Sequence, residues 1–71
     1  MEHLVSTKDT VRLSFLLSLL RDAGIEAHVF DANISALEAG IGAFPRRIMV
    51  PVKRLLAAKT LLEDANEFYD D

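Results

Sequence analysis

The chain has 71 residues, 51% of them hydrophobic, and its eight basic and eleven acidic side chains give a formal net charge of -3. It contains no cysteine, which excludes disulfide scaffolds, thiol chemistry and zinc sites built on thiolates. A chain of this length can bury only one small core, so we expect a single domain over residues 1–71.

The first half of the chain predicts a strand, a helix and a second strand. Residues 2–6 are compatible with a strand, and Asp9 stands where a helix N-cap is expected. Residues 11–23 predict an amphipathic helix, with one arc formed by Leu13, Leu16, Leu17, Leu20 and Ala23 and the opposite arc by Ser14, Ser18, Arg21 and Asp22. Gly24 predicts its end, because glycine tolerates positive φ. Residues 25–31 then alternate as a strand with one covered side, that of Ile25.

The second half predicts a loop, a strand and a helix. Residues 32–45 contain Ser35 and Glu38 at capping-box spacing but otherwise have the composition of a long loop. Residues 46–51 alternate again and end at Pro51, and residues 52–65 form a second amphipathic pattern. Residues 67–69 either extend this helix or add a fourth strand at the edge of the sheet.

The resulting order, β-α-β-β-α, predicts a fold class of α+β with ferredoxin-like topology. The third strand is expected to insert between the first two, with a right-handed crossover through the first helix. The sequence thus predicts a three-stranded antiparallel sheet of order 1-3-2 with two helices on one face.

Four segments carry a resemblance to a known family. They are Ala23-Gly24-Ile25, Ser35-Ala36-Leu37-Glu38, Gly40-Ile41-Gly42 and Pro45-Arg46-Arg47-Ile48-Met49-Val50. Over roughly residues 4–62 the chain resembles a small bacterial family of prokaryotic signal-transducing proteins of unknown function. The resemblance implies a ferredoxin-like fold akin to the PII-type regulatory proteins, and no established catalytic residue, cofactor or partner. Thr10 departs from the proline that similar sequences often carry there.

The loop before the third strand is the candidate ligand or partner site, formed by Gly40, Gly42, Phe44, Arg46 and Arg47. Glycines let backbone N–H groups approach an anion, and arginines offer forked donors. The loop lacks the spacing of a P-loop or a dinucleotide-binding motif, and a purely structural connection is the alternative interpretation. Neighbouring strand residues point to opposite faces, so the two arginines need not act together.

No pattern in the sequence indicates catalysis or a cofactor. The third strand is expected to separate His3 from His28, which argues against a metal site between them. Ser14 and Ser18 lie on the polar helix face without an activating base. The carboxylates of residues 63–71 are interpreted as a solvated acidic end. We therefore predict that the protein is not an enzyme and uses no cofactor.

The side of the sheet away from the helices, called the open face below, is the candidate oligomer face and carries His28, Phe30 and Met49. Net acidity and the absence of a basic stripe argue against nucleic-acid binding. An uncovered, partly apolar sheet instead favours a homodimer or another protein partner.

The function predicted from the sequence is that of a non-catalytic regulatory or interaction module, which senses a small anionic ligand or a protein. The alternative is a small enzyme whose site is completed at an oligomer interface. The longest apolar run is too short to span a membrane, and the N-terminus lacks the pattern of a secretory signal. We expect a cytoplasmic protein with no membrane partner.

Overall fold

The structure is a computed structural model that describes residues 1–30 and 45–71. Its regular elements in chain order are β1 (Glu2–Thr7), α1 (Thr10–Asp22), β2 (His28–Phe30), β3 (Arg46–Val50), a 3-10 turn (Val52–Arg54) and α2 (Leu55–Asp64). This order of elements confirms the predicted α+β class. The predicted capping pair Ser35 and Glu38 lies outside the described residues.

The three strands form one sheet with β3 in the centre. β3 pairs antiparallel with both β1 and β2, which confirms the predicted order 1-3-2. Ile48 of β3 lies in register with Val5 on one side and Val29 on the other. Since residues directly opposite each other share a face, these three side chains point towards the helices, and Ile48 and Val5 are buried there.

A β-bulge interrupts β1 between His3 and Val5, where the register to β3 shifts by one residue. The extra residue is Leu4, and both Leu4 and Val5 are buried. Strict alternation would turn one of these two side chains towards the open face. The bulge therefore lets two consecutive apolar residues enter the core.

Local side-chain chemistry sets both ends of α1. The Asp9 carboxylate accepts hydrogen bonds from the backbone N–H groups of Val11 and Arg12, at 2.9 and 3.2 Å, which confirms the predicted N-cap. At the other end, Gly24 has φ +76° and the N–H of Ile25 reaches back to the last turn of the helix. The helix therefore ends immediately before Gly24, as the sequence predicted.

The second strand begins later than predicted. Among the described residues, β2 starts at His28, whereas the alternation of residues 25–31 predicted a start at Ile25. The register places Ala27 opposite Val50, the last residue of β3, and the following Pro51 has no N–H to donate, so the ladder does not extend back to Ile25. Ile25 is nevertheless buried on the predicted side.

The second helix begins with a 3-10 turn and ends at Asp64 with Ala65 as its C-cap, which agrees with the predicted residues 52–65. Its C-terminus carries Asn66 with φ +59°, and the N–H groups of Asn66 and Glu67 bond to the carbonyls of Glu63 and Leu62, at 3.0 and 2.8 Å. This is the same Schellman arrangement that closes α1, with asparagine in place of glycine. The chain turns away at this point, so residues 67–69 neither extend the helix nor form a fourth strand.

The core lies between the sheet and the two helices. Its buried apolar side chains, among the described residues, are Leu4, Val5, Leu13, Leu16, Leu20, Ile25, Ala27, Ile48, Val50, Ala58 and Leu62. In the described part of the chain, no helix has the length and apolar character needed to cross a membrane.

Candidate functional site

The open face presents two rows of side chains across the sheet. In the first row, Met49 lies in register with His3 on β1 and His28 on β2. In the second row, Arg47 lies in register with Phe30. Phe30 is 44% exposed, and Met49 is partly exposed. The three predicted residues His28, Phe30 and Met49 thus lie together on one surface, whose role as an oligomer face stays a prediction.

Each histidine of this surface has a partner on its own strand or next to it. The Nε2 atom of His28 lies 2.6 Å from a carboxylate oxygen of Glu26, and that of His3 lies 2.9 Å from the Ser6 hydroxyl. Within the described ranges there is no group of three or more histidine, aspartate or glutamate side chains that could hold a metal ion.

The predicted ligand loop is only partly visible. Gly40, Gly42 and Phe44 lie outside the described residues, whereas Arg46 and Arg47 are described. Arg46 lies in register with Thr7, whose side chain is buried on the helix side of the sheet, whereas Arg47 shares the open face with Met49. The two arginines therefore leave the loop towards opposite faces of the sheet, and ligand binding stays a prediction.

Sequence reasoning missed a buried charged residue, Arg12 on α1. Its guanidinium is buried and donates from Nε to Glu67 Oε1 at 2.8 Å and from Nη1 to Asp71 Oδ1 at 3.2 Å. Nη2 donates to the backbone carbonyls of Glu67 and Tyr69, at 2.7 and 2.9 Å. The guanidinium carbon also lies 3.9 Å from the centroid of the Tyr69 ring. Arg12 thus holds residues 67–71, called the C-terminal tail below.

These contacts shift the pKa values of Arg12 and Asp71 in the directions that favour their charged forms. Burial opposes the charge of Arg12, but the hydrogen bond to Glu67 and the negative groups around it raise the pKa of the guanidinium. A hydrogen bond from the Thr7 side chain and the charge of Arg12 lower the pKa of the Asp71 carboxyl. Of the residues predicted to form a solvated acidic end, Asp71 is exposed although it pairs with Arg12, whereas Glu67 is partly buried, so the prediction was wrong for Glu67.

A signal for this cluster was present in the sequence. On a helical wheel Arg12 falls inside the apolar arc of α1, within about 80° of Leu16 and Leu20. A basic side chain in that arc must find a hydrogen-bonding partner when the helix packs on its neighbours. The surplus of carboxylates at the other end of the chain offered such partners.

Two shallow grooves open on the described surface. One, of about 560 Å³, lies where the end of α1 meets the outer side of α2 and is lined by Ala23, Ile25, Arg54, Leu56, Ala57, Thr60, Leu61 and Asp64. The other, of about 370 Å³, lies along the edge of β1 and is lined by His3, Leu4, Val5, Lys59, Phe68, Tyr69 and Asp70. The second groove adjoins the C-terminal tail.

Comparison with protein families supplies a context for these surfaces. Residues 1–66 match the model of a family described as "Putative prokaryotic signal transducing protein". The chain belongs to this family. The match includes all three strands, both helices and Arg12, and it ends just before the C-terminal tail.

No curated protein and no solved structure matches the chain. The family's description supports a signalling role in general terms. The function of the family is unknown, so the description goes no further than that. Ligand, partner and mechanism have to be argued from the residues themselves.

Proposed function

We propose that this member of the family is a non-catalytic regulatory module that acts in the cytoplasm by association through its open face. The observation that carries the proposal is the arrangement of Phe30, Met49 and Arg47 on a side of the sheet that neither helix covers. An uncovered sheet with exposed apolar and arginine side chains has the composition of a protein interface rather than that of a solvated surface.

Charge complementarity favours a second copy of the chain as the partner. Along the strands, Arg47 lies towards one end of the open face, and Glu26 lies beyond His28 towards the other end. A two-fold axis perpendicular to the strands at the level of Met49 would set Arg47 of each copy opposite Glu26 of the other. Such an isologous contact satisfies both charges while Phe30 and Met49 supply apolar area.

The predicted ligand loop would let a bound anion act on the open face. Gly40, Gly42 and Phe44 precede Arg46 and Arg47 in the chain, and Arg47 is part of the open face. A small anion bound by this loop would change the charge or position of Arg47. The ligand would then shift the balance between separate and associated chains according to its affinity for each.

The proposal predicts a concentration-dependent dimer that substitutions on the open face disrupt. Phe30→Glu and Met49→Glu should each raise the dimer dissociation constant at least about tenfold, because each places a carboxylate in the centre of the contact. Light scattering with size-exclusion chromatography over a concentration series measures the mass against the 7.9 kDa of one chain.

Phe15→Glu is the matched control. Phe15 is also an exposed phenylalanine, 48% against 44% for Phe30, but it lies on α1 in the helical layer. It should leave the mass unchanged. A chain of 7.9 kDa at every concentration, or a dimer lost with Phe15→Glu and kept with Phe30→Glu, would refute association through the open face.

A further inference from the structure

The C-terminal tail lies along the outer edge of β1. β1 is an edge strand of the sheet that the described residues form, since among them β3 alone pairs with it. The N–H of Asp71 donates to the carbonyl of Ser6 at 3.1 Å, and the N–H of Ser6 donates to the Asp70 side chain at 2.8 Å. The tail therefore satisfies both outward-facing backbone groups of Ser6, one through the backbone of Asp71 and the other through the side chain of Asp70.

The Arg12 guanidinium binds the C-terminal tail through several hydrogen bonds and a ring contact. Its three nitrogens engage two carboxylates and two backbone carbonyls, and its flat face stacks on the ring of Tyr69. A buried guanidinium with forked donors is selective for a carboxylate in a fixed geometry. The carbonyl contacts require the peptide to pass in one direction, so the site recognises a peptide rather than an isolated anion.

The residues that hold the tail, Arg12 and Ser6, and the tail itself belong to different parts of the chain. The family match includes Arg12 and Ser6, whereas residues 67–71 follow its last matched position, residue 66. The tail is also peripheral, since Tyr69 remains 49% exposed and Phe68 37% exposed. Specific polar contacts, with little burial, hold it in place, and a competing peptide can offer the same contacts.

We infer that the cleft formed by Arg12 and the Ser6 edge of β1 is a binding site for an acidic peptide of a partner protein, bent as the tail is at Tyr69 and occupied here by the chain's own tail. The matching ligand carries an aromatic residue between two acidic residues, at the spacing of Glu67, Tyr69 and Asp71. The bound tail is an intramolecular competitor at an effective concentration on the order of millimolar, so the site opens to partners that outcompete it.

The test uses the full chain and a fluorescent peptide with the sequence of residues 65–71. Replacing Glu67→Gln and Asp71→Asn in the chain weakens the tail as a competitor and leaves the receptor residues intact. Fluorescence anisotropy should then show binding at least about tenfold tighter than to the unmodified chain. Adding Arg12→Lys to the same chain should abolish that gain, and adding Arg21→Lys, elsewhere on α1, should preserve it.

The inference fails if the doubly substituted chain keeps its far-ultraviolet circular dichroism but binds the peptide no tighter than the unmodified chain. It also fails if Arg12→Lys leaves the gain intact. The measurement is independent of the open face, because Phe30→Glu should not change peptide affinity. Loss of the dimer with unchanged peptide binding would support both proposals, and peptide binding without any dimer would support this one alone.

A second measurement avoids substitutions that could affect folding. In the unmodified ¹⁵N-labelled chain, excess unlabelled peptide should displace the tail. The backbone amide signals of Asp70 and Asp71 should then move to random-coil positions, while that of Ser6 stays close to its starting position. Amide signals of the tail that do not move at millimolar peptide would overturn the inference.

Discussion

At the scale of single residues, Arg12 joins the two ends of the chain. It lies near the start of α1, and its partners Glu67 and Asp71 are 55 and 59 residues further along. Because the guanidinium is buried, the ion pairs operate where water screens them less than at the surface. Every nitrogen of the side chain is used, so replacement by another cation does not preserve the contacts.

We expect Arg12→Lys to lower the free energy of unfolding by about 2 kcal/mol, because a single ammonium cannot replace the forked hydrogen bonds to charged and backbone groups. Urea denaturation followed by circular dichroism measures the loss. The control is Arg21→Lys on the same helix, where one exposed side chain makes a single contact to the Ala27 carbonyl at 3.2 Å. That change should stay within about 0.5 kcal/mol, and equal losses from the two substitutions would contradict the role of Arg12.

We expect Asp71 to make the free energy of unfolding depend on pH in the acid range. Its pKa is lowered in the folded chain, so the folded state binds this proton more weakly than the unfolded state. The contribution of Asp71 is therefore complete above the unfolded pKa of about 4 and is lost as the pH falls through the lower folded value. Asp71→Asn should be less stable than the unmodified chain at pH 7, and this difference should shrink towards pH 3.

Urea denaturation of both chains at a series of pH values measures this difference. Asp64→Asn provides the control, because Asp64 is an exposed carboxylate at the end of α2. The stability change caused by Asp71→Asn is compared with that caused by Asp64→Asn at each pH. A difference between Asp71→Asn and the unmodified chain that stays constant from pH 7 to 3 would exclude the proposed coupling to Arg12.

At the scale of secondary structure, helix ends determine where the chain goes next. Both helices close with a residue at positive φ, Gly24 after α1 and Asn66 after α2. After α1 the chain returns to the sheet as β2, and after α2 it turns to the edge of β1. The second turn brings the C-terminal tail within reach of Arg12.

The start of α1 is set by Asp9, and its removal has a predictable cost. Asp9→Ala should lower the free energy of unfolding by about 1 kcal/mol, because two N–H groups of the first turn lose their acceptor. Asp9→Asn keeps a side-chain oxygen at the same place and should lose less. Chemical denaturation of both variants tests this, and equal losses would show that the cap is not the source of the effect.

At the scale of the whole molecule, the domain has two different exposed surfaces. Among the described residues, two helices cover one side of the sheet and neither covers the open face. In the same part of the chain, the C-terminal tail lies along the outer edge of β1. We assign the open face to self-association and the β1 edge to peptide binding, which makes the two activities separable.

Much of this architecture follows from local patterns in the sequence. Asp9 and Gly24 mark the ends of α1 because capping depends on residues within one turn. Alternation placed Phe30 and Met49 on one face because side chains in a strand alternate strictly. The strand order followed from the order of elements, since few topologies connect them without crossing.

Contacts between distant segments decided the rest. The bulge at Leu4 depends on the packing of β1 against the core. The late start of β2 depends on the end of its partner strand before Pro51. The burial of Arg12 depends on a turn at Asn66 that directs the C-terminal tail back across α1. The sequence by itself determined the elements and their order because both arise from neighbouring residues. Only the tertiary structure decided which charges meet, because their partners lie at opposite ends of the chain.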